Sequence, residues 1–301
     1  MVAEQGQVDG ALDGLAAGVN FPAALRRALP RSALVLPILL LLGVFFVAPC
    51  IEIVRVSLGD EGGMLANFER LWASPVTATV AVRTVQLALS VTAICLLVGY
   101  PAACFIAFQP PGRRALFQSL ILLPFWTSVL VRTYTWSVVL GREGVVNSSL
   151  IWLGLIDTPE RFMFTPFAVH LGMTQILLPI TILTLVGVMT ELDTTLMRAA
   201  RVLGASPAGS FLHVFLPMTR PGIAAAAMLT FILALGFFIT PALLGGPRQR
   251  TVANLIDVQV HAMNNWAAAS ALALMLLVIT VVAVAILRWL VPDRNLYGSR
   301  P

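Results

Sequence analysis

The stretch "MRAARVLGASPAGSFLHVFLPMTRPGI", Met197 to Ile223, stands between two long apolar runs, yet it holds three arginines, a histidine, two serines and three prolines. Leu192, Leu196, Ala199, Ala200 and Leu203 recur at helical spacing, and Gly204 follows where a helix C-terminus favours glycine. Ser206 then precedes Pro207 as N-cap and first residue of a second helix. Its Ala208, Phe211, Leu212 and Phe215 form one apolar stripe, and Pro217 is expected to end it. The segment reads as two short helices hinged at Gly204. Helices shorter than about 12 to 15 residues are marginal alone in water, so both need a surface to lie against. That surface is either the chain's own membrane domain with its headgroup layer, or a groove in a soluble partner.

The surroundings are apolar. The 301 residues are 58% hydrophobic and only 11% charged, with a mean hydropathy of +0.91, whereas a soluble domain carries about a quarter charged residues. A helix crossing the roughly 30 Å hydrocarbon core needs about 20 apolar residues. Six stretches qualify, near Ala33 to Val54, Val76 to Phe108, Ala115 to Leu140, Pro166 to Thr190, Pro221 to Thr240 and Ala267 to Leu290. Ser74-Pro75 and Thr165-Pro166 punctuate two of the starts. The second stretch is too long for one upright crossing, and Pro101 is expected to kink it. The sequence thus predicts an all-α membrane protein: a tail over residues 1–32 with a short amphipathic helix around Leu12 to Leu29, a six-span domain over 33–291, and a tail over 292–301. The polar lead is long for a secretory n-region, and Val47-Ala48-Pro49-Cys50 has proline where a lipoprotein cleavage site wants a small residue, so the first run reads as a retained span.

All 19 basic residues are arginine, and the chain has no lysine. A phosphate-binding GxxxxGK[ST] loop is therefore excluded, because its lysine reaches the phosphates; nucleotide energy, if used, must be bound by another chain. The arginines are scattered rather than clustered on one face, which argues against nucleic acid. Eleven fall on one side of the spans and six on the other, which places both termini and the loop 191–220 in the cytoplasm. Cys50, Cys95 and Cys104 have neither metal-site nor disulfide spacing. No catalytic residue, metal or cofactor is expected of this chain.

Arg198-Ala199-Ala200, then Gly204, then Val214-Phe215-Leu216-Pro217 resembles the E-A-A-x3-G-x9-I-x-L-P loop of permease subunits of bacterial ABC importers, with arginine in place of the glutamate and valine in place of isoleucine. "PFWTSVLVRTYTW", Pro124 to Trp136, and "GFFITPALLGGPRQRTVANLI", Gly236 to Ile256, look like the corresponding stretches of spermidine/putrescine-type permeases. The resemblance covers most of the chain from the first span to the last. It implies a six-span type I (MetI-like) permease in the inner membrane. It implies as partners two copies of an ATPase that uses ATP and Mg, a second permease identical or homologous to this one, and a periplasmic solute-binding protein. In that family the loop docks into a cleft of the ATPase. Carried over here, the docking loop comprises Arg198, Ala199, Ala200, Gly204, Ala205, Ser206, Pro207, Phe211, Leu212, Phe215 and Pro217, with Ala199, Ala200 and Gly204 to Pro207 as the hinge region against the ATPase and Phe211, Leu212 and Phe215 as anchors of the second helix.

Path-lining candidates are polar or aromatic residues inside spans. Arg83 and Arg132 are the arginines placed within spans, where a charge is costly and faces the bundle interior or water unless it snorkels to the headgroups. Trp126, Tyr134 and Trp136 can stack on a cationic amine; Tyr134 and Trp136 equally read as anchors at the interface. Phe237, Phe238 and Thr240 precede or flank Pro241 and read as an outer gate or as packing; His170 reads as a hydrogen-bonded interior residue. Gly222 with Ala224 to Ala227 offers a small-residue face for another helix, of this chain or of the second permease. No carboxylate lies deep in a span, which sits uneasily with a polyamine path and leaves opines, amino-acid derivatives and other small solutes open as cargo. Two other functions compete with the ATP-driven permease. An ion-gradient carrier would show internal repeats and an ionisable relay, and a non-transporting scaffold would bind a partner through the loop without moving solute.

Overall fold

The computed structural model describes residues 36–58 and 66–290, and every described element is helical. The predicted tails, with the helix at Leu12 to Leu29, lie outside the described residues. The chain divides into two units, Met1–Arg55 and Val56–Pro301. Helix α1 runs over 36–58 as Leu36–Leu42, a π-turn at Gly43–Val47 and Ala48–Leu58. The π-turn has a local cause. Pro49 has no N–H for the carbonyl of Phe45 and its ring crowds that carbonyl, so the turn widens and the Ala48 N–H donates five residues back to Gly43.

The second unit contains α2 (Ala66–Ala73), α3 (Pro75–Ala107), α4 (Pro111–Leu122), α5 (Val129–Val139), α6 (Val145–Trp152), α7 (Pro166–Glu191), α8 (Thr195–Val202) and α9 (Pro207–Met218). It continues with α10 (Arg220–Leu235), α11 (Ile239–Leu244), α12 (Val252–Asp257) and α13 (Trp266–Leu290). Four helices are long and apolar enough to cross a membrane alone: the first, α3, α7 and α13. Two bent pairs bring the number to as many as six where each pair counts as one span: α4 with α5, bent by 85°, and α9 with α10, bent by 57°.

The bends correct three sequence expectations. The third span is not one rod from Ala115 to Leu140: Pro124 withdraws a donor, the chain passes through a 3-10 turn at Leu123–Trp126 and an extended Thr127, and the Ser128 hydroxyl caps α5 by accepting from the Leu130 N–H at 3.3 Å. The fifth span does not reach Thr240, because α10 stops at Gly236 and α11 restarts at Ile239. A helix continued through Pro241 would leave the Phe237 carbonyl without its donor. Pro217 does not end the second loop helix either. It sits in Leu216–Met218 behind a π-turn at Phe211–Phe215, where the Leu216 N–H donates to Phe211, the arrangement already seen at Ala48-Pro49. Helix α3 is continuous through Pro101 and, at 1.5 Å per residue, is about 50 Å long, as the overlong stretch required.

Helices α3, α7 and α10 pack together as the centre of the unit. Lipid tails are as apolar as leucine, so burying leucine gains little there and close backbone approach with shared hydroxyls does more. Gly222 shows it. A Cβ at that position would come within 2.9 Å of Val188 on α7, and Ala226 one turn on is fully buried. The small-residue face of α10 therefore serves this chain's own packing. The buried hydroxyls of Thr181 and Thr230 meet at 2.8 Å between the same two helices, a contact of about 0.6 kcal/mol by comparison with other membrane helices. At one end of the bundle Ala103, Leu185, Met189, Met197 and Phe215 form a cluster; at the other, Val80, Val252 and Leu272 form a second, and Leu140, Ala168 and Leu244 a third.

Candidate functional site

The loop after α7 folds as the sequence predicts, with a sharp turn at its tip. Helix α8 ends at Leu203 in near-helical conformation, and Gly204 takes φ +93°, a left-handed value that side chains resist. The Gly204 N–H donates to Arg201 and the Ala205 N–H to Ala200, each at 3.0 Å, which is the pairing of a Schellman turn. Ser206 then caps α9, its hydroxyl accepting from the Gly209 N–H at 3.0 Å, and Pro207 occupies the first turn. The two helices are tied by the buried Ser210 hydroxyl, which donates to the Met197 carbonyl at 3.0 Å. Before α8, the hydroxyl and N–H of Thr195 both donate to Asp193; these bonds, with Arg198 nearby, hold its carboxyl below the ordinary aspartate range.

The hairpin has an inner and an outer side. Phe215 is buried, against Phe211 at 5.4 Å and Phe108 at 5.1 Å between ring centroids, and Met197 joins the same cluster with the ends of α3 and α7. Phe211 and Phe215 therefore anchor α9 to its own bundle. Pro217 is half-buried, and the neighbouring bend at Thr219 is clamped by Tyr100, whose hydroxyl lies 2.9 Å from that of Thr219. The outer side carries Arg198, Ala199, Gly204, Ser206, Pro207 and Leu212 exposed, with Ala200 and Ala205 half-buried. At the tip Val202 and Leu203 are each 87% exposed. Val202 escaped the sequence reading because it lies off the apolar stripe.

The path candidates do not form one group. Trp126, at the 85° break, is 89% exposed, and Tyr134 on α5 is exposed too. Arg132 is half-buried with its guanidinium 5.7 Å from the Phe125 ring centre, and its Nε and one Nη are buried without a hydrogen-bond partner. Trp136 packs on the Leu140–Ala168–Leu244 cluster instead of facing a path. Phe238 is partly exposed beside the break after α10, but Thr240 is fully buried with its hydroxyl 3.3 Å from that of Thr133, so it is a packing residue. Arg83 donates to the Arg248 carbonyl and is thus a brace between α3 and the loop before α12. His170 joins Ser90 and the Pro166 carbonyl, each at 2.7 Å, the interior role its sequence context favoured.

Two further groups had gone unnoticed. On α7 the Thr174 hydroxyl and the side-chain amide oxygen Oε1 of Gln175 are buried without partners; an amide in the middle of a 26-residue apolar helix was the available signal. Around Thr251 and Asn254 the side chains repair the broken fifth span: the Thr251 hydroxyl bonds the Phe237 carbonyl at 3.4 Å, and the Asn254 amide the Phe238 carbonyl at 3.1 Å. Their capping-box spacing, Thr-x-x-Asn, could have revealed them. Among the described residues no group of three or more His, Cys, Asp or Glu side chains is placed to hold a metal ion.

Comparison with known proteins agrees with this geometry. The family model described as "Binding-protein-dependent transport system inner membrane component" matches residues 96–295. The spermidine/putrescine transport system permease protein PotB of Escherichia coli (strain K12) is 40% identical over 202 residues, covering 67% of this chain and 73% of that one. The protein of the same name from Haemophilus influenzae is 38% identical over 210 residues, covering 70% and 73%. A bacterial alginate ABC transporter, solved with an alginate pentasaccharide-bound periplasmic protein, contains a chain that superposes with a TM-score of 0.73 over 90% of this chain and 96% of its own; at 20% identity it speaks for the fold alone. With two thirds of its length under the family model and such identity to curated permeases, the chain belongs to the binding-protein-dependent transport system inner membrane components, the multi-pass permease subunits of ABC importers whose ATPase is a separate subunit.

Proposed function

We propose that this permease carries a polyamine of the spermidine/putrescine class across the inner membrane, delivered by a periplasmic binding protein, and that its α8–α9 hairpin docks on the ATPase. The observation that carries the docking is the hairpin itself: a Schellman turn at Gly204, anchored inward by Met197 and Phe215, with Val202 and Leu203 bare at its tip. The cargo rests on the identity to PotB proteins. The working assembly pairs this chain with a second, identical or homologous permease and two ATPase copies. ATP and Mg bind those ATPases, and this chain supplies no metal or cofactor site. Both termini and the hairpin lie in the cytoplasm, in keeping with the arginine excess on that side.

ATP binding closes the ATPases, their clefts carry the hairpins together, and the bundle opens outward to receive cargo. Trp126, Tyr134 and Phe238, exposed in the isolated chain, are the residues offered to the path or to the second permease. The test is uptake of labelled spermidine by vesicles holding the complete transporter. ATP inside should drive it, and an ATPase-dead partner should abolish it. Uptake that persists on a proton gradient alone would make this an ion-driven carrier. Partner binding without solute accumulation would make it a scaffold.

A second reading of the cargo has its own observation: the unpartnered guanidinium nitrogens of Arg132 favour a solute bearing a carboxylate, such as an opine or an amino-acid derivative. Competition of labelled spermidine by such solutes at the binding protein separates the two.

A further inference from the structure

The outer face of the hairpin has a charge pattern that specifies its partner. Arg198 and Arg201, three residues apart on α8, share one face, and both are exposed. Asp193 lies close enough to Arg198 to feel its charge, and its two oxygens accept from Thr195. Among the described residues neither arginine forms an ion pair within 4.0 Å. Directly beyond Arg201 come Val202 and Leu203, each 87% exposed. The Schellman turn and the Ser210 bond to Met197 hold this surface out, so the tip cannot fold back to cover itself.

We infer that the hairpin tip fits a groove of the ATPase that is apolar at its floor and acidic at its rim, with Val202 and Leu203 entering the floor and Arg198 and Arg201 meeting carboxylates on the rim. The inference deepens the docking role proposed above and rests on it. Direction and charge select the soluble groove over an anionic lipid surface. Met197 and Phe215 face the ends of α3 and α7, so the opposite face points off the end of the bundle, away from the slab in which those helices lie. The segment that joins α7 to α8 carries Glu191 and Asp193, both exposed, which an anionic surface repels. Guanidinium groups at the edge of an apolar contact act through steering and rim pairing, and that makes the contact salt-sensitive.

The experiment uses the purified transporter in lipid nanodiscs, with a benzophenone photo-crosslinker in place of Leu203 and, separately, ATPase retention measured on the immobilised permease pair. Crosslinks should form to the ATPase. Retention should fall about tenfold as salt rises from roughly 50 to roughly 500 mM, and about tenfold again in the double variant Arg198→Glu with Arg201→Glu at low salt. The double variant to lysine should lose no more than about twofold, since the charge remains, and reversing the rim carboxylates of the ATPase to lysine should rescue the glutamate variant. Crosslinks to the ATPase together with salt-insensitive retention that survives the glutamate pair would overturn the acidic rim and leave docking intact. Crosslinks to lipid alone, strengthened by anionic lipid in the nanodisc, would overturn both.

Discussion

The two ends of the bundle solve different problems with different chemistry. At the hairpin end, apolar side chains do the holding: Phe215 and Met197 plug into the ends of α3 and α7, one hydroxyl ties α8 to α9, and the outer face is left bare. At the other end, polar side chains hold a broken backbone. Asn147 receives the Glu160 N–H at 2.8 Å and donates to the carbonyls of Gly141 and Glu160 at 3.0 Å; Thr84 accepts from the Val252 N–H at 3.0 Å; Thr251 donates to the Phe237 carbonyl and Asn254 to the Phe238 carbonyl just after the break at Gly236. An end that presents a surface needs a rigid mount and free side chains. An end that interrupts helices at membrane depth must repair every carbonyl it exposes, because lipid offers no donor.

The comparison is broken most severely at Gly204. No neighbour lies within 4 Å of a Cβ placed there, so a substitution clashes with nothing and acts through φ alone. Gly204→Val forces a β-branched residue to φ +93°, at a cost on the order of 1–3 kcal/mol confined to the turn. ATP-driven spermidine uptake should fall at least about tenfold while the protein still inserts and basal ATPase activity persists; Gly204→Asn, which tolerates the left-handed region, should keep much of the uptake. Uptake equal to wild type in the valine variant would show that the turn is not the coupling element.

The polar end should respond in stability instead. Asn254→Ala leaves the buried Thr251 N–H without its acceptor, while the Phe238 carbonyl keeps the Ala242 N–H; the loss costs about 1–3 kcal/mol and lowers the thermal midpoint of the purified permease, without altering ATPase retention. Equal loss of retention would mean that the two ends are not independent. Gly222→Ala asks the same of the middle. The added methyl group meets Val188 at 2.9 Å, and overpacking of that kind costs about 1–3 kcal/mol unless Val188 yields, again with retention unchanged. Ser210→Ala, which removes a single bond within the hairpin, should cost about 0.5–1.5 kcal/mol and weaken retention only slightly.

The contrast also explains what the sequence could reveal. The hairpin was legible because its determinants are local: alanines and leucines at helical spacing, a glycine at the C-terminus, Ser-Pro at the next N-terminus. Six crossings were legible as apolar lengths, and the inward role of His170 as a lone imidazole in an apolar run. The breaks were less so. Pro124 and Pro241 look like other intramembrane prolines, yet Pro101 sits in an unbroken helix; what differs at Pro241 is a pair of side chains ten or more residues away that accept the cost of the break. The partition of the hairpin stripe, Phe215 inward and Leu203 outward, depends on where α3 and α7 end, which no spacing within the loop encodes.

The smallest expected effect concerns the entry to α8. Asp193 accepts two bonds from Thr195, one from the N–H and one from the hydroxyl, and both are stronger to the ionised carboxylate than to the neutral acid. Its folded-state pKa is lowered by these bonds, so the contribution to stability is fully present above the unfolded value of about 3.9 and is lost as pH falls through the lower folded value. At neutral pH the group is therefore constant, and the loop should not respond to pH between about 6 and 8 through this residue. Carbon-13 NMR of labelled aspartate should show Asp193 titrating below the ordinary range in the wild type and moving up in Thr195→Val. That variant removes the hydroxyl and keeps the backbone N–H, so a partial return is the result consistent with both bonds contributing. If the titration does not move, the hydroxyl bond does not hold the carboxylate, and the start of α8 rests on its backbone and on the bundle beneath it.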